Sequence, residues 1–420
     1  MTLATPAGYR ALDDASLREF LAGLPDLSNR LGGRPADWSI VEVGDGNLNL
    51  VFLIEGPEGS LCVKQSLPYV RAAGESWPLP LDRAFFEQSY YRAVAPYTEG
   101  LTPRVFYYQP ELYAIVMERL SPHIILRRGL IEGRRYPGAA VAVAEFAARA
   151  TFATSDFGAT LEEKAELMAT FARNTSLIRI TAEVVFTDPL ANSPRNRWTS
   201  PALDGLAAEF RADSALKVTV AEWGRRFLTE AQALIHGDLH SGSVMVTETD
   251  TRVMDPEFAF VGPIGFDIGA FIANLVMNAI AQGGHATPGD DRKAEAEWVL
   301  SQVPVFWDTF SSRFLALWDD KARGDAYPPA MFTNPGDAEA IAGARKAFVD
   351  RLFADAVGYA GVKTIRRILG FAHNADFELI ADPARRAPLE EKAIRLARRF
   401  LLEPQSFKTP ADIVAAVKLD

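Results

Sequence analysis

The sequence predicts an α+β protein of two lobes, a small β-rich one in front and a larger, mainly helical one behind. Three observations predict it. At 420 residues the chain exceeds the length at which one hydrophobic core usually stops growing. Short runs of branched and aromatic residues, punctuated by glycine turns, crowd into the first 117 positions. Beyond position 121, Ala-, Leu- and Phe-rich segments repeat at helical spacing. The expected division is residues 1–117 as a first lobe, 118–120 as a hinge and 121–420 as a second lobe, with a site in the cleft between them.

The elements follow in order. After a short helical start, residues 38–43 and 48–54 read as two strands flanking Gly44-Asp45-Gly46-Asn47, a hairpin whose glycines permit close backbone approach. A second turn at 56–59 leads into Leu61-Cys62-Val63-Lys64-Gln65, a third strand carrying Lys64. Residues 82–95 read as a helix, with Phe85, Phe86, Tyr90 and Val94 as its apolar stripe and Glu87 on another part of its surface. Two more strands, 104–109 and 112–117, complete a five-stranded lobe with one inserted helix. In the second lobe Thr160 and Glu163 form a capping box for a helix beginning at Leu161, and helical periodicity continues through 207–233.

Composition excludes some roles. With 44 Lys and Arg against 54 Asp and Glu, the net charge of -10 lacks the basic footprint of a nucleic-acid binder. The first twenty residues hold no apolar block of a secretory signal. The longest apolar stretch, 268–281, contains Asn274 and Asn278 and falls short of the roughly 20 residues that cross a bilayer, so a buried helix of a cytoplasmic protein is expected and no membrane partner. The single cysteine, Cys62, cannot form an intrachain disulfide and reads as core filling.

The chemistry concentrates in HGDLHSGSVMV at 236–246 and in Val253-Met254-Asp255-Pro256-Glu257. Gly237 relaxes a turn after the apolar pair Leu234-Ile235, and Asp238 in that turn can orient and deprotonate a substrate hydroxyl. Asp255 and Glu257, at the end of the next strand, supply hard oxygen ligands suited to magnesium on nucleotide phosphates. Each acid alone also reads as a solvated or turn-capping residue; the order of the three points to a phosphotransferase. Zinc is disfavoured, because His236 and His240 have simpler duties in orienting the loop. Asp156-Phe157-Gly158 spells the metal-binding triplet of protein kinases, but it precedes the Asp238 segment and abuts the capped helix, so it reads as a linker.

Taken with GDGNLNLVFLI at 44–54, VKQ at 63–65, MERL at 117–120, MDPEFAFVGPIGFDIGAF at 254–271 and IRRILG at 365–370, these motifs resemble the S-methyl-5-thioribose kinase family, of the protein-kinase-like fold shared with aminoglycoside and choline phosphotransferases. The resemblance implies that ATP and Mg2+ are used, that Lys64 contacts the phosphates and that Asn47 helps close the loop over them. It further implies a hinge at Glu118, Arg119 and Leu120 that meets adenine, a catalytic Asp238 and a metal pair, Asp255 and Glu257, around Pro256. Arg366 and Arg367 are implied in recognition of sugar and transferred phosphate, and Trp198, with Asn192 and Arg197, in covering the sugar. The implied substrate is 5-methylthioribose, phosphorylated at its anomeric hydroxyl in methionine salvage, by a cytoplasmic homodimer.

Two departures from the broader kinase pattern stand out. Asn49 occupies the third glycine position of the nucleotide loop, and Ser243 stands where an asparagine binds a second metal. Glu87 is the expected ion-pair partner of Lys64, against a solvated helix face. Two arginines near the acceptor suit a neutral polyol better than cationic choline or aminoglycosides. Another small-alcohol kinase, such as one for homoserine, or an inactive nucleotide-binding scaffold, remains open on the sequence.

Overall fold

The computed structural model describes residues 5–44, 48–70 and 74–419. In the first lobe, α1 (Asp14–Ala22) and α2 (Pro25–Leu31) precede β1 (Ser39–Glu42), β2 (Asn49–Glu55), β3 (Ser60–Ser66), the short ribbon β4 (Tyr69–Val70) and β5 (Gly74–Pro78), α3 (Arg83–Val94), β6 (Val105–Gln109) and β7 (Ala114–Glu118). The five expected strands form an antiparallel sheet in the order β1-β2-β3-β7-β6, and the β4–β5 ribbon is an addition to them. Asn47, assigned to the nucleotide loop, lies outside the described residues.

Alternation along β3 decides which way Lys64 points. Leu61 and Val63 are buried in the first core beside α1 and α2, while Cys62 lies on the other face, against Ala84 of α3, Ile115 and Met117. Lys64 shares the Cys62 face, because strand side chains alternate with period two.

The second lobe opens with β8 (Ile124–Ile125) and α4 (Leu126–Ile131), α5 (Ala139–Ala153), α6 (Leu161–Phe171), α7 (Thr175–Thr181), α8 (Asp204–Ala212) and α9 (Ser214–Thr229). The Asp238 region follows on the short strands β9 (Ala233–Ile235), β10 (Val244–Val246), β11 (Thr251–Val253) and β12 (Phe260–Gly262). Then come α10 (Ile264–Ala281), α11 (Lys293–Lys321), α12 (Asp337–Leu369), α13 (Ala375–Glu378), α14 (Pro383–Leu402) and α15 (Pro410–Leu419). The capping box at α6 forms as expected, with Thr160 and Glu163 exchanging bonds.

Two expectations change. The apolar run 268–281 belongs to a longer helix: with the turn after it, Ile264–His285 spans 22 residues and is long and apolar enough to cross a membrane. Its apolar window is buried entirely inside the protein, where α12 and α11 pack against it, which is the situation of a core helix apolar all round. The α3 stripe also differs: Phe86, Tyr90 and Val94 join the large core of the second lobe, so α3 bridges the two lobes. Glu87 is buried rather than on an outer surface.

The Asp156-Phe157-Gly158 triplet is structural. Phe157 stacks on Trp318 at 3.8 Å between ring centroids, and Asp156 pairs with Lys164 at 2.6 Å.

Candidate active site

Lys64 reaches from β3 to two acids at once. Its Nζ lies 2.7 Å from Glu87 Oε2 on α3 and in direct contact with Asp255 Oδ1. Glu257, two residues on, is buried and accepts from Asn49 Nδ2 at 3.0 Å, with Arg83 Nε at 3.3 Å. Pro256 is buried between the acids. Asp255 takes a left-handed backbone with φ 70°, which aspartate tolerates better than most non-glycine residues, and its N–H donates to the Tyr91 hydroxyl at 2.9 Å.

The electrostatics of this cluster favour a further cation. Burial pushes Glu87 up to about 8 despite Lys64 and raises Glu257 despite Lys64 and Arg83. Burial opposes ionisation of Asp255 too, but contact with Lys64 outweighs it and holds that carboxyl below its usual range. Carboxylate oxygens of Glu87, Asp255 and Glu257 lie within 4.8 Å of one another. Three carboxylates against Lys64 and Arg83 form a hard-oxygen set short of positive charge, which fits a divalent cation.

The Asp238 loop is held from below by α10. Asp267 accepts the N–H groups of His236 at 2.6 Å and Gly237 at 3.0 Å. Gly237 has φ 83°, and a Cβ there would meet the Phe258 carbonyl oxygen at 2.2 Å; only glycine fits. His236 Nε2 bonds the Met254 carbonyl at 2.9 Å, tying this loop to the acidic turn. The Ser243 hydroxyl donates to the carbonyls of Asp238 at 3.0 Å and His240 at 2.9 Å, so it serves the loop's own geometry.

Asp238 has a different neighbour at each oxygen. His240 Nε2 lies 3.2 Å from Oδ2, while Lys363 Nζ and Arg366 Nη1 lie 3.6 and 3.9 Å from Oδ1. Burial alone would raise the carboxyl, but these partners outweigh it and hold it well below the usual carboxylate range. Burial pulls Arg366 down to about 9 and Arg127, behind it, to about 10.

The remaining predicted residues are placed as follows. Arg366 and Arg367 occupy the last turn of α12; Arg366 faces Asp238, whereas Arg367 donates to the Ala372 carbonyl at 2.7 Å. At the expected hinge, the Glu118 N–H donates to the Arg104 carbonyl at 2.8 Å, so it is committed to the sheet. Arg119 reaches Glu55 at 2.9 Å, and Leu120 is half-buried. Trp198 has partners on α8: its Nε1 donates to Asp204 at 2.7 Å, and Arg211 lies 4.8 Å from its ring centroid. Arg197 pairs with Glu378, and Asn192 is exposed.

Sequence reasoning missed Lys363, Asn49 as a partner of Glu257, Arg83 and the anchoring role of Asp267. Lys363 carried a signal, since it stands three and four residues before the arginine pair and therefore on the same helical face. The Asn49–Glu257 contact carried none.

A lysine and an acidic pair converging from two lobes beside a turn-borne aspartate are the parts of a phosphoryl-transfer site, and the chain belongs to the phosphotransferase enzyme family, whose profile matches residues 39–298. It is 41% identical over 420 residues to a methylthioribose kinase of Escherichia coli O45:K1, covering 100% of both chains. It is 40% identical to methylthioribose kinase 1 of Oryza sativa subsp. japonica, covering 98% of this chain and 96% of that one. It is 38% identical to a methylthioribose kinase of a Geobacillus species, covering 98% and 97%. These full-length identities set it within the methylthioribose kinase branch of the family.

Proposed function

We propose that the protein transfers the γ-phosphoryl group of ATP to the anomeric hydroxyl of 5-methylthioribose, giving 5-methylthioribose 1-phosphate and ADP, a step of methionine salvage. The observation that carries this reading is Asp238 with the cations Arg366 and Lys363 facing one of its oxygens. A positive surround disfavours a cationic acceptor such as choline or an aminoglycoside and suits a neutral sugar onto which a charged phosphoryl group is moving.

In the reaction the bond between the γ-phosphorus and its bridging oxygen breaks, and the sugar O1 forms the new P–O bond. Asp238 orients the hydroxyl and takes its proton; at so low a pKa it is a weak base, so alignment is its larger contribution. Lys64, drawn inward by Glu87, contacts the ATP phosphates. Asp255 and Glu257 would hold Mg2+, which supplies charge neutralisation on those phosphates when bound. Arg366 and Arg367 balance charge at the acceptor. Asn47 closing the loop, the 118–120 hinge meeting adenine, Trp198 covering the sugar, cytoplasmic residence and a homodimer belong to the same proposal, on the family resemblance.

Competitive turnover with methylthioribose, ribose, homoserine, choline and an aminoglycoside tests the acceptor. Preference for methylthioribose is expected; preference for a cationic acceptor overturns the reading, and ATP binding without any phosphorylated product identifies a scaffold instead.

A further inference from the structure

Lys363, Arg366 and Arg367 share one face of α12, and all three side chains are buried or nearly so. Lys363 carries its whole charge on one unpartnered atom. Its Nζ is buried without a hydrogen-bond partner among the described residues, 3.6 Å from Asp238 Oδ1 and 3.9 Å from the centroid of the Phe266 ring. The first distance is an ion-pair contact beyond hydrogen-bond length, and the ring face is a soft partner for an ammonium group. A buried ammonium without a hydrogen bond is costly to keep, so its place beside the acceptor-facing carboxylate calls for a function.

The other oxygen of Asp238 shows what that function is. His240 Nδ1 accepts the Gly242 N–H at 2.9 Å, which leaves the proton on Nε2, the nitrogen facing Asp238 Oδ2. Burial drives His240 down to about 4, so at neutral pH it is an uncharged imidazole that contributes a hydrogen bond and no charge. The cations facing Asp238 Oδ1 are Lys363 and Arg366 of α12. Asp238 faces His240 from its own loop and Lys363 and Arg366 from α12, with the Arg127 charge of α4 adding to them and the Asp255 charge opposing from the next loop. Lys363 in turn faces Asp238 and Asp267, and is repelled by Arg366 and Arg367.

We infer that Lys363 is a positioning residue for phosphoryl transfer, holding Asp238 ionised and fixed through Oδ1 while the His240 hydrogen bond fixes Oδ2. It acts through Asp238 and does not touch the reacting atoms. The inference rests on the phosphoryl-transfer reading above, but its test does not depend on the identity of the acceptor.

The test is the titration of the Asp238 carboxyl in the full-length protein without substrate, followed by NMR of 13C-carboxyl-labelled aspartate and assigned by its loss in Asp238→Asn. Lys363→Met is expected to raise the Asp238 titration by about one unit or more. Lys363→Arg, which keeps the cation, is expected to restore it. With ATP and methylthioribose, the acid limb of kcat should move in the same direction in Lys363→Met while KM for ATP stays within about twofold. An unchanged Asp238 titration in Lys363→Met overturns the inference, as does a Lys363→Arg protein shifted as far as the Met variant, which would mark a packing role. Lys363→Gln carries the same expectation should the Met variant not fold. Absence of turnover on methylthioribose by the unaltered enzyme would sink the substrate reading, and the carboxyl titration would still decide the role of Lys363.

Discussion

The side-chain amide of Asn49 donates to Glu257 at 3.0 Å across 208 positions of sequence, joining the second strand of the small lobe to the acidic turn of the large one. Asn49 is held in turn by Arg83, whose Nη2 donates to its Oδ1 at 3.0 Å. The residue that departs from the third glycine of the kinase loop thus has a partner in the candidate metal site.

Replacing Asn49 with alanine removes a hydrogen bond to a buried carboxylate and leaves Glu257 to Arg83. The expected cost is about 1–3 kcal/mol of stability, with half-maximal activity displaced to higher Mg2+ concentration. Denaturant unfolding and a metal titration of turnover check the two effects; an unchanged metal requirement would detach Asn49 from the site.

Lys64→Met leaves Glu87, Asp255 and Glu257 facing one another with Arg83 beside Glu257. Removing one partner of a buried pair destabilises by about 3–5 kcal/mol. A divalent cation is expected to recover part of that loss, because it replaces the missing charge, and thermal unfolding with and without Mg2+ measures it. Equal melting temperatures in the two conditions would argue against a metal at this cluster.

Asp238→Asn keeps the shape of the side chain and removes its charge and basicity. Turnover should fall by about 10²- to 10⁴-fold with the dissociation constant for ATP nearly unchanged, measured by single-turnover kinetics and by calorimetry respectively. A parallel loss of ATP affinity would place Asp238 on the nucleotide instead.

His240 gives the fold a defined acid sensitivity. Burial depresses its folded pKa to about 4, below the unfolded value of about 6.5. The folded state then binds fewer protons than the unfolded one between those values, so the stability contribution is full above about pH 6.5 and declines as pH falls through about 4. His240→Gln should lessen the slope of unfolding free energy against pH in that window by about one proton. Denaturant midpoints collected from pH 4 to 7 provide the check.

Much of this architecture was legible because its signals are local. Alternation in Leu61-Cys62-Val63-Lys64 turned Lys64 to the α3 side, Gly237 marked the turn at Asp238, and Thr160 with Glu163 marked the start of α6. The hidden part depends on tertiary packing. Glu87 reads as the ion-pair partner of Lys64, which it is, but nothing in 82–95 shows how deeply the pair will be buried. The helix around 268–281 reads too short because its ends continue into residues buried by distant segments, Gly265 against α12 and Gly284 against Ile380 and Leu389. The Trp198 contacts with Asp204 and Arg211 on the neighbouring helix carry no signal in its loop motif. Lys363 was overlooked beside the more conspicuous arginine pair, although helical spacing alone puts the three on one face.

Phosphorus NMR of the protein incubated with ATP, Mg2+ and methylthioribose tests the central claim most directly, since it reports reaction, acceptor and position together. The account predicts ADP and a single sugar phosphomonoester whose phosphorus couples to the anomeric proton. Inorganic phosphate in place of a sugar phosphate, or a phosphoester at another hydroxyl, would contradict it.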